Sequence, residues 1–254
     1  YPTKRTFGRG EMILWELKLL GDSADHNFFL EFILPAMEEA ATTSDPRWRR
    51  LNALWGSFDV EAIYAARGSR WEPIVRAGKL DLNYRPTSTQ WAERLRWNER
   101  HRHLDSLVWV TPVDLDEFGG ARLAATDEAE VRESETVNHT PTPTMILDAL
   151  MERMLLFLPG KPRARRESRQ AAWALLSSNE QTTLYLALEQ ARLLPPNRQS
   201  LESAPKDSPG RWIGTQRFTG IPDVLVSYLQ LASILHVGKY THLGCGTFSL
   251  YEME

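Results

Sequence analysis

The chain has 254 residues, of which 42% are hydrophobic and 25% charged; 30 Lys and Arg stand against 33 Asp and Glu, a formal charge of −3. That is the balance of an ordinary soluble globular protein, sized for one large domain or two small ones. It excludes a disordered tail, a collagen-like fibre and a simple coiled coil, and no run nears the ~18 consecutive apolar residues of a membrane span.

Cys245 is alone, so neither an intrachain disulfide nor a zinc cluster is expected. No signal-peptide pattern opens the sequence. A reducing, cytoplasmic setting follows as the economical expectation, with no metal, no cofactor and no membrane partner. The charge is uneven. Residues 114–154 hold ten acids against Arg122, Arg132 and Arg153, a local −7, and the rest of the chain is mildly basic. A near-neutral total therefore leaves room for a basic stripe that meets nucleic acid.

In chain order, Ile13, Trp15, Leu17 and Leu19 alternate with Leu14, Glu16 and Lys18, the period of a half-buried strand that Gly21–Ser23 breaks. From Asp25 to Ala41 the spacing turns helical, with Phe28, Phe29, Phe32, Ile33, Ala36 and Met37 on one face. Pro35 within it lacks an amide hydrogen and should distort the helix. Asp59–Ala66 reads as a second strand through Val60, Ala62 and Tyr64. The Trp- and Arg-rich stretch that follows gives only a weak helix around Ser88–Glu99.

A fresh unit starts near Leu104. Leu107–Leu115 is strand-like, rich in β-branched residues, with Pro112 marking an edge or a bulge. Ala121–Thr142 reads as an acidic surface insertion. Thr142 before Pro143 is a helix start, and Met145, Ile146, Ala149, Leu150, Arg153 and Met154 keep the helical period. Ala171–Leu194 reads as one helix and Asn197–Gly210 as a loop. Trp212–Thr219 is a strand, Asp223–His236 a helix and Thr247–Tyr251 a last strand. The pattern predicts an α+β fold of tandem ferredoxin-like (RRM-like) domains. The first, 1–103, shows only the back half of that plan; the second, 104–254, carries the acidic insertion at about 116–142.

Between the last helix and the last strand stand Gly238, Lys239, Tyr240, Thr241, His242, Leu243, Gly244, Cys245 and Gly246. Gly238, Gly244 and Gly246 free the backbone to approach a ligand, amides of such a loop can cradle phosphate oxygens, and Lys239 adds a point charge. The spacing is not that of a nucleotide P-loop, and the same residues also read as a tight helix-to-strand turn. Lys161, Arg163, Arg165, Arg166 and Arg169 put five cations into nine residues. They form either a phosphate-contacting face with steep salt dependence or a solvated helix face. Arg211, Trp212 and Arg217 offer an indole on which a base can stack beside phosphate-binding guanidinium groups; Trp212 equally suits a core.

The run HVGKYTHLGCGTFSL resembles the glycine-rich C-terminal signature of the RAMP endoribonucleases, more specifically the CRISPR-associated enzymes that cut precursor CRISPR RNA within its repeats. Three further stretches are similar to that family in order and spacing: GEMILWELKLLGDSADHNFFLEFILPAM, LVWVTPVDLDEFG and TPTMILDALMERMLLF. Together they cover most of 7–35 and 104–250. What the resemblance implies is a tandem ferredoxin-like protein that binds CRISPR repeat RNA. It would cut without a metal, by attack of a ribose 2′-oxygen on the adjacent phosphate, leaving a 2′,3′-cyclic phosphate and a 5′-hydroxyl.

Such chemistry needs a base for the 2′-proton, an acid for the leaving oxygen and a cation for the phosphorane charge. His236, His242 and Tyr240 are the candidate catalytic residues, with Lys239 as the cation. The plainer alternatives are that His236 caps the helix end and that His242 is solvated. In the family a strand and helix that often bear the catalytic histidine precede the segment where this chain begins. The site is therefore expected to be incomplete, and a fused or associated reverse transcriptase and CRISPR integrase are implied partners. The rival expectation is a non-catalytic RAMP subunit that grips guide RNA; a third is a ferredoxin-like module used only for protein contacts.

Overall fold

Local signals place the helices. Asp25 caps the first of them, its carboxylate accepting the Asn27 amide at 2.6 Å. This helix, α1, runs through His26–Phe28, a π-helical turn over Phe29–Ile33, and Leu34–Thr42. The π turn lies immediately ahead of Pro35, and the Leu34 amide reaches back to the Phe29 carbonyl. Widening the turn there accommodates a ring that would otherwise collide with the preceding turn. It also changes which residues point inward. Phe28 and Phe32 stack on each other at 5.5 Å with Phe32 61% exposed, and Ala41 is the buried residue near the helix end. The expected Phe28–Phe32 core face is thus rotated toward Phe29, Leu30, Ile33, Leu34 and Met37, which are half-buried.

The computed structural model describes residues 8–20, 25–42, 58–68, 70–76, 79–81, 84, 87, 90, 104–115, 140–157, 171–193, 197–206, 208–218 and 220–252. It is a mixed α+β protein with two antiparallel sheets, divided into one unit within 7–96 and another within 97–254. Among the described residues no helix is long and apolar enough to cross a membrane.

In the first unit, β1 (Ala62–Arg67), β2 (Arg70–Arg76) and β3 (Lys79–Leu80) form an antiparallel meander in the order β1–β2–β3. The β1–β2 hairpin turns at Gly68, whose φ of +57° is the left-handed conformation a tight turn needs. The expected strand at Ile13–Leu19 is not a strand: 11–20 has no regular structure, and Met12, Ile13, Leu14 and Trp15 are all more than half exposed. Alternation supplies a face, but a strand also needs a neighbour for its backbone groups, and none of the described strands pairs with this segment. The weak helix at Ser88–Glu99 falls, apart from Gln90, outside the described residues.

In the second unit, β4 (Leu104–Val113) is followed by α2 (Pro143–Leu155) and α3 (Ser178–Arg192). Then come β5 (Asn197–Ser203), β6 (Trp212–Arg217), α4 (Asp223–Leu235) and β7 (Phe248–Glu252). The sheet order is β5–β6–β4–β7, every pair antiparallel. Central β4 keeps Pro112 at a bulge rather than an edge: pairing with β6 jumps from Trp109 to Val113. The Val110 and Thr111 amides both turn to the Thr247 carbonyl, at 3.0 and 3.3 Å.

Two expectations fail in this unit. Asn197–Gly210 is not all loop, because Asn197–Ser203 forms the edge strand β5. Its polar composition suits an edge and hides it from a hydrophobic pattern. Ala171–Leu194 is not one helix: the chain breaks at 175–177, and α3 begins afresh at a capping box. There Ser177 Oγ accepts the Glu180 amide, and the Glu180 carboxylate accepts the Ser177 amide at 2.8 Å. The expected start of α2 is observed, with Thr142 Oγ1 accepting the Met145 amide. Helix α4 contacts α2, α3 and β7. Leu107, Trp109, Val113, Ile146, Leu150, Leu225 and Leu229 are essentially inaccessible. Gln216, 1% exposed, accepts the Trp109 indole N–H at 3.2 Å and donates to the Pro141 carbonyl, so these polar groups of the core are paired.

Candidate functional site

The glycine-rich loop is built by three chain segments meeting at one end of the second sheet: the end of β4, the entry to β6 and the span from α4 to β7. The Val237 amide donates to the Gly246 carbonyl at 3.1 Å, the Gly246 amide to Pro112 at 3.0 Å and the Lys239 amide to Asp114 at 3.0 Å. The Arg211 amide donates to the Val113 carbonyl at 2.9 Å. Such closeness explains two glycines. A Cβ on Gly246 would lie 1.8 Å from the Val237 carbonyl oxygen, and one on Gly238 would lie 2.5 Å from that of Asp114. Both glycines bring the chain close to itself, which accords with the reading of the stretch as a tight helix-to-strand turn. At Gly244 a Cβ would meet nothing within 4 Å.

His236 takes the C-cap position of α4, half-buried, with an unusual φ of +59°. The same helix end is satisfied from α2, where Arg153 Nε donates to the Leu235 carbonyl at 3.1 Å. Burial lowers the Arg153 pKa from its ordinary value, and the guanidinium also covers the Phe157 ring. Tyr240, again at φ +59° and 44% exposed, precedes a 3₁₀ turn over Thr241–Leu243 that carries His242, also exposed. The 3₁₀ turn ends at Gly244, whose amide donates to Thr241. Cys245 is buried, its thiol donating to the Pro209 carbonyl at 3.2 Å and its pKa raised by burial. It packs rather than reacts.

Lys239 and Arg211 come together, 28 residues apart in sequence, because both face Asp114. Lys239 Nζ lies 3.5 Å from one carboxylate oxygen and Arg211 Nε 3.3 Å from the other. Asp114, just past the end of β4, keeps only 10% of its side chain exposed. The formal charges of these three side chains sum to +1. Sequence reasoning missed Asp114; its one signal was an acid directly after an otherwise apolar strand end.

Half-buried Trp212 follows Arg211 into β6 opposite Val113. Arg217 does not join the group: it pairs with Ser106 at the other end of β6, about 17 Å away along the strand. Lys161, Arg163, Arg165, Arg166 and Arg169 lie outside the described residues, as does the acidic insertion from 116 to 139.

Chemically, the loop offers one phenol and one imidazole to solvent, with an ammonium and a guanidinium anchored to the same corner of the fold. Searched against protein families, characterised proteins and solved structures, the chain matches none.

Proposed function

We propose that this chain is an endoribonuclease that cuts precursor CRISPR RNA within its repeats. The fold reading beneath it is that the second unit is a ferredoxin-like, RRM-like domain. Its four strands fall in the order β5–β6–β4–β7, all antiparallel; among the described residues, a helical turn at 171–174 and α3 lie between α2 and β5 beyond the β-α-β-β-α-β plan. The first unit supports a tandem arrangement only through its helix-then-strand order, and the second unit bears most of the weight.

The observation that carries the function is the company Tyr240 and His242 keep. Both are exposed on a loop whose base is tied to β4 and β6, next in sequence to Lys239, which shares Asp114 with Arg211. A phosphodiester at that corner would have its charge met by the two cations. One of the exposed pair takes the 2′-proton as that oxygen attacks phosphorus, and the other protonates the departing 5′-oxygen. The products are a 2′,3′-cyclic phosphate and a 5′-hydroxyl.

The second reading, a non-catalytic RAMP subunit that holds guide RNA, draws on a separate observation. Of the two loop histidines, His236 ends a helix, leaving His242 as the exposed one.

A 5′-labelled repeat RNA incubated with the protein in EDTA, beside copies with single 2′-deoxy substitutions, tests both. The nuclease gives one cut that a single deoxy substitution blocks, and His242→Ala slows it by about 100-fold or more while binding holds. Tight binding without cutting selects the subunit reading. No binding refutes both.

A further inference from the structure

Two cations beside one buried acid admit opposite interpretations. Either the acid cancels them, leaving nothing for a ligand, or it holds them in a geometry that a ligand uses. Several features separate these outcomes. Arg211 engages Asp114 through Nε, the inner nitrogen of its guanidinium, at 3.3 Å. Among the described residues its two Nη groups make no hydrogen bond, and 43% of the side chain is exposed. A guanidinium whose Nε faces the acid has its outer edge left as a planar fork, the geometry that binds a phosphate through two parallel hydrogen bonds.

Asp114 Oδ1 is buried and has no aligned hydrogen bond, so its contact with Arg211 is an ion pair of proximity. The backbones of both cations are fixed to the same strand end, Arg211 to Val113 and Lys239 to Asp114. The glycine before each admits no side chain: a Cβ on Gly210 would sit 2.8 Å from Pro112 Cβ, and one on Gly238 2.5 Å from the Asp114 oxygen. Side chains and main chain thus converge on a preorganised pair.

We propose that Asp114 is a positioning residue that orients Arg211 and Lys239 as a two-point clamp for one backbone phosphate of bound RNA. This rests on reading the glycine-rich loop as an RNA site. It adds a residue that would not touch RNA itself, and it assigns the Arg211 Nη edge as the contact.

The two interpretations predict opposite signs for one substitution. Asp114→Asn removes a negative charge beside two positive ones. If the acid only neutralises, RNA binding tightens; if it positions, binding weakens.

The assay is fluorescence anisotropy of labelled repeat RNA carrying one 2′-deoxy block, with the full chain, across a salt series. The expected result is affinity about tenfold weaker for Asp114→Asn, as when one charge-assisted hydrogen bond is removed. The log–log salt slope becomes shallower by about 0.7 for each phosphate of a single strand that is no longer neutralised. In an Arg211→Gln/Lys239→Gln background the same substitution changes nothing further, which a merely structural role would not produce. Arg211→Lys keeps the charge but not the fork, at a half-exposed position that tolerates change, and is expected to weaken binding to a similar degree.

Equal or tighter binding by Asp114→Asn overturns the positioning role while leaving RNA binding intact. Should that variant not fold, wild-type affinity in Arg211→Lys overturns it instead. If the wild-type chain binds no repeat RNA, the functional proposal fails and this one with it.

Discussion

Replacing Gly246 by alanine isolates the closure that holds the glycine-rich loop, and Gly244→Ala is its internal control. Both residues have positive φ, +75° and +82°, so each alanine incurs the left-handed backbone strain of about 1–2 kcal/mol. They differ in what the new methyl meets. At Gly244 there is nothing within 4 Å, whereas at Gly246 the Val237 carbonyl oxygen, carbonyl carbon and nitrogen lie at 1.8, 2.9 and 3.1 Å. Those atoms are backbone and cannot rotate away. The two segments of the closure must separate, loosening the Val237-to-Gly246 and Gly246-to-Pro112 hydrogen bonds, each contributing about 1 kcal/mol. The total for Gly246→Ala is therefore about 3–4 kcal/mol. At about 2–4 °C per kcal/mol for a chain of this size, Tm falls by roughly 10 °C, against roughly 5 °C for Gly244→Ala. Thermal unfolding followed by circular dichroism reads the difference. Equal decreases for the two variants would refute the account of the loop as a closure made by backbone contact.

Other consequences are as direct. Gln216→Ala strands the Trp109 indole N–H and the Pro141 carbonyl in the core and opens a cavity; urea titration should show destabilisation of about 2–4 kcal/mol. Ser177→Ala removes a cap and should cost about 1 kcal/mol at neutral pH. The Ser177 hydroxyl and amide hold Glu180 below its ordinary pKa of 4.5, so the stabilisation from this pairing is present above that value and fades as pH falls through the lowered one. The gap between the melting curves of the two proteins should accordingly narrow in acid without closing, because the cap from Ser177 Oγ to the Glu180 amide does not titrate. Alanine at Lys161, Arg163, Arg165 and Arg166 together should weaken RNA binding and flatten its salt dependence, and unchanged affinity would remove that run from the interface.

Elements whose signals are local could be read from the amino-acid order alone. Thr142 and Pro143 announce the start of α2. The apolar period of 223–235 gives α4, and β-branched residues give β4, with Pro112 marking an edge or a bulge that the pairing resolves as a bulge. The distortion of α1 at Pro35 was legible for the same reason, since it depends on one ring and the turn before it. Whatever depends on partners came from the folded chain. Strand β5 is polar and exists because β6 offers it a ladder, whereas Ile13–Leu19 has the right alternation and no ladder among the described strands. In the candidate site, the loop, its glycines and its histidines could be picked out in sequence. His236 at a helix end was among the readings the amino-acid order allowed. That Gly246 serves a chain crossing and that Arg217 stands apart from Arg211 could not be read there. Nor could the Asp114 cluster, which joins residues 114, 211 and 239. Side-chain periodicity records which face of a segment leaves water; it carries no information about which distant backbone or charge will arrive to meet it.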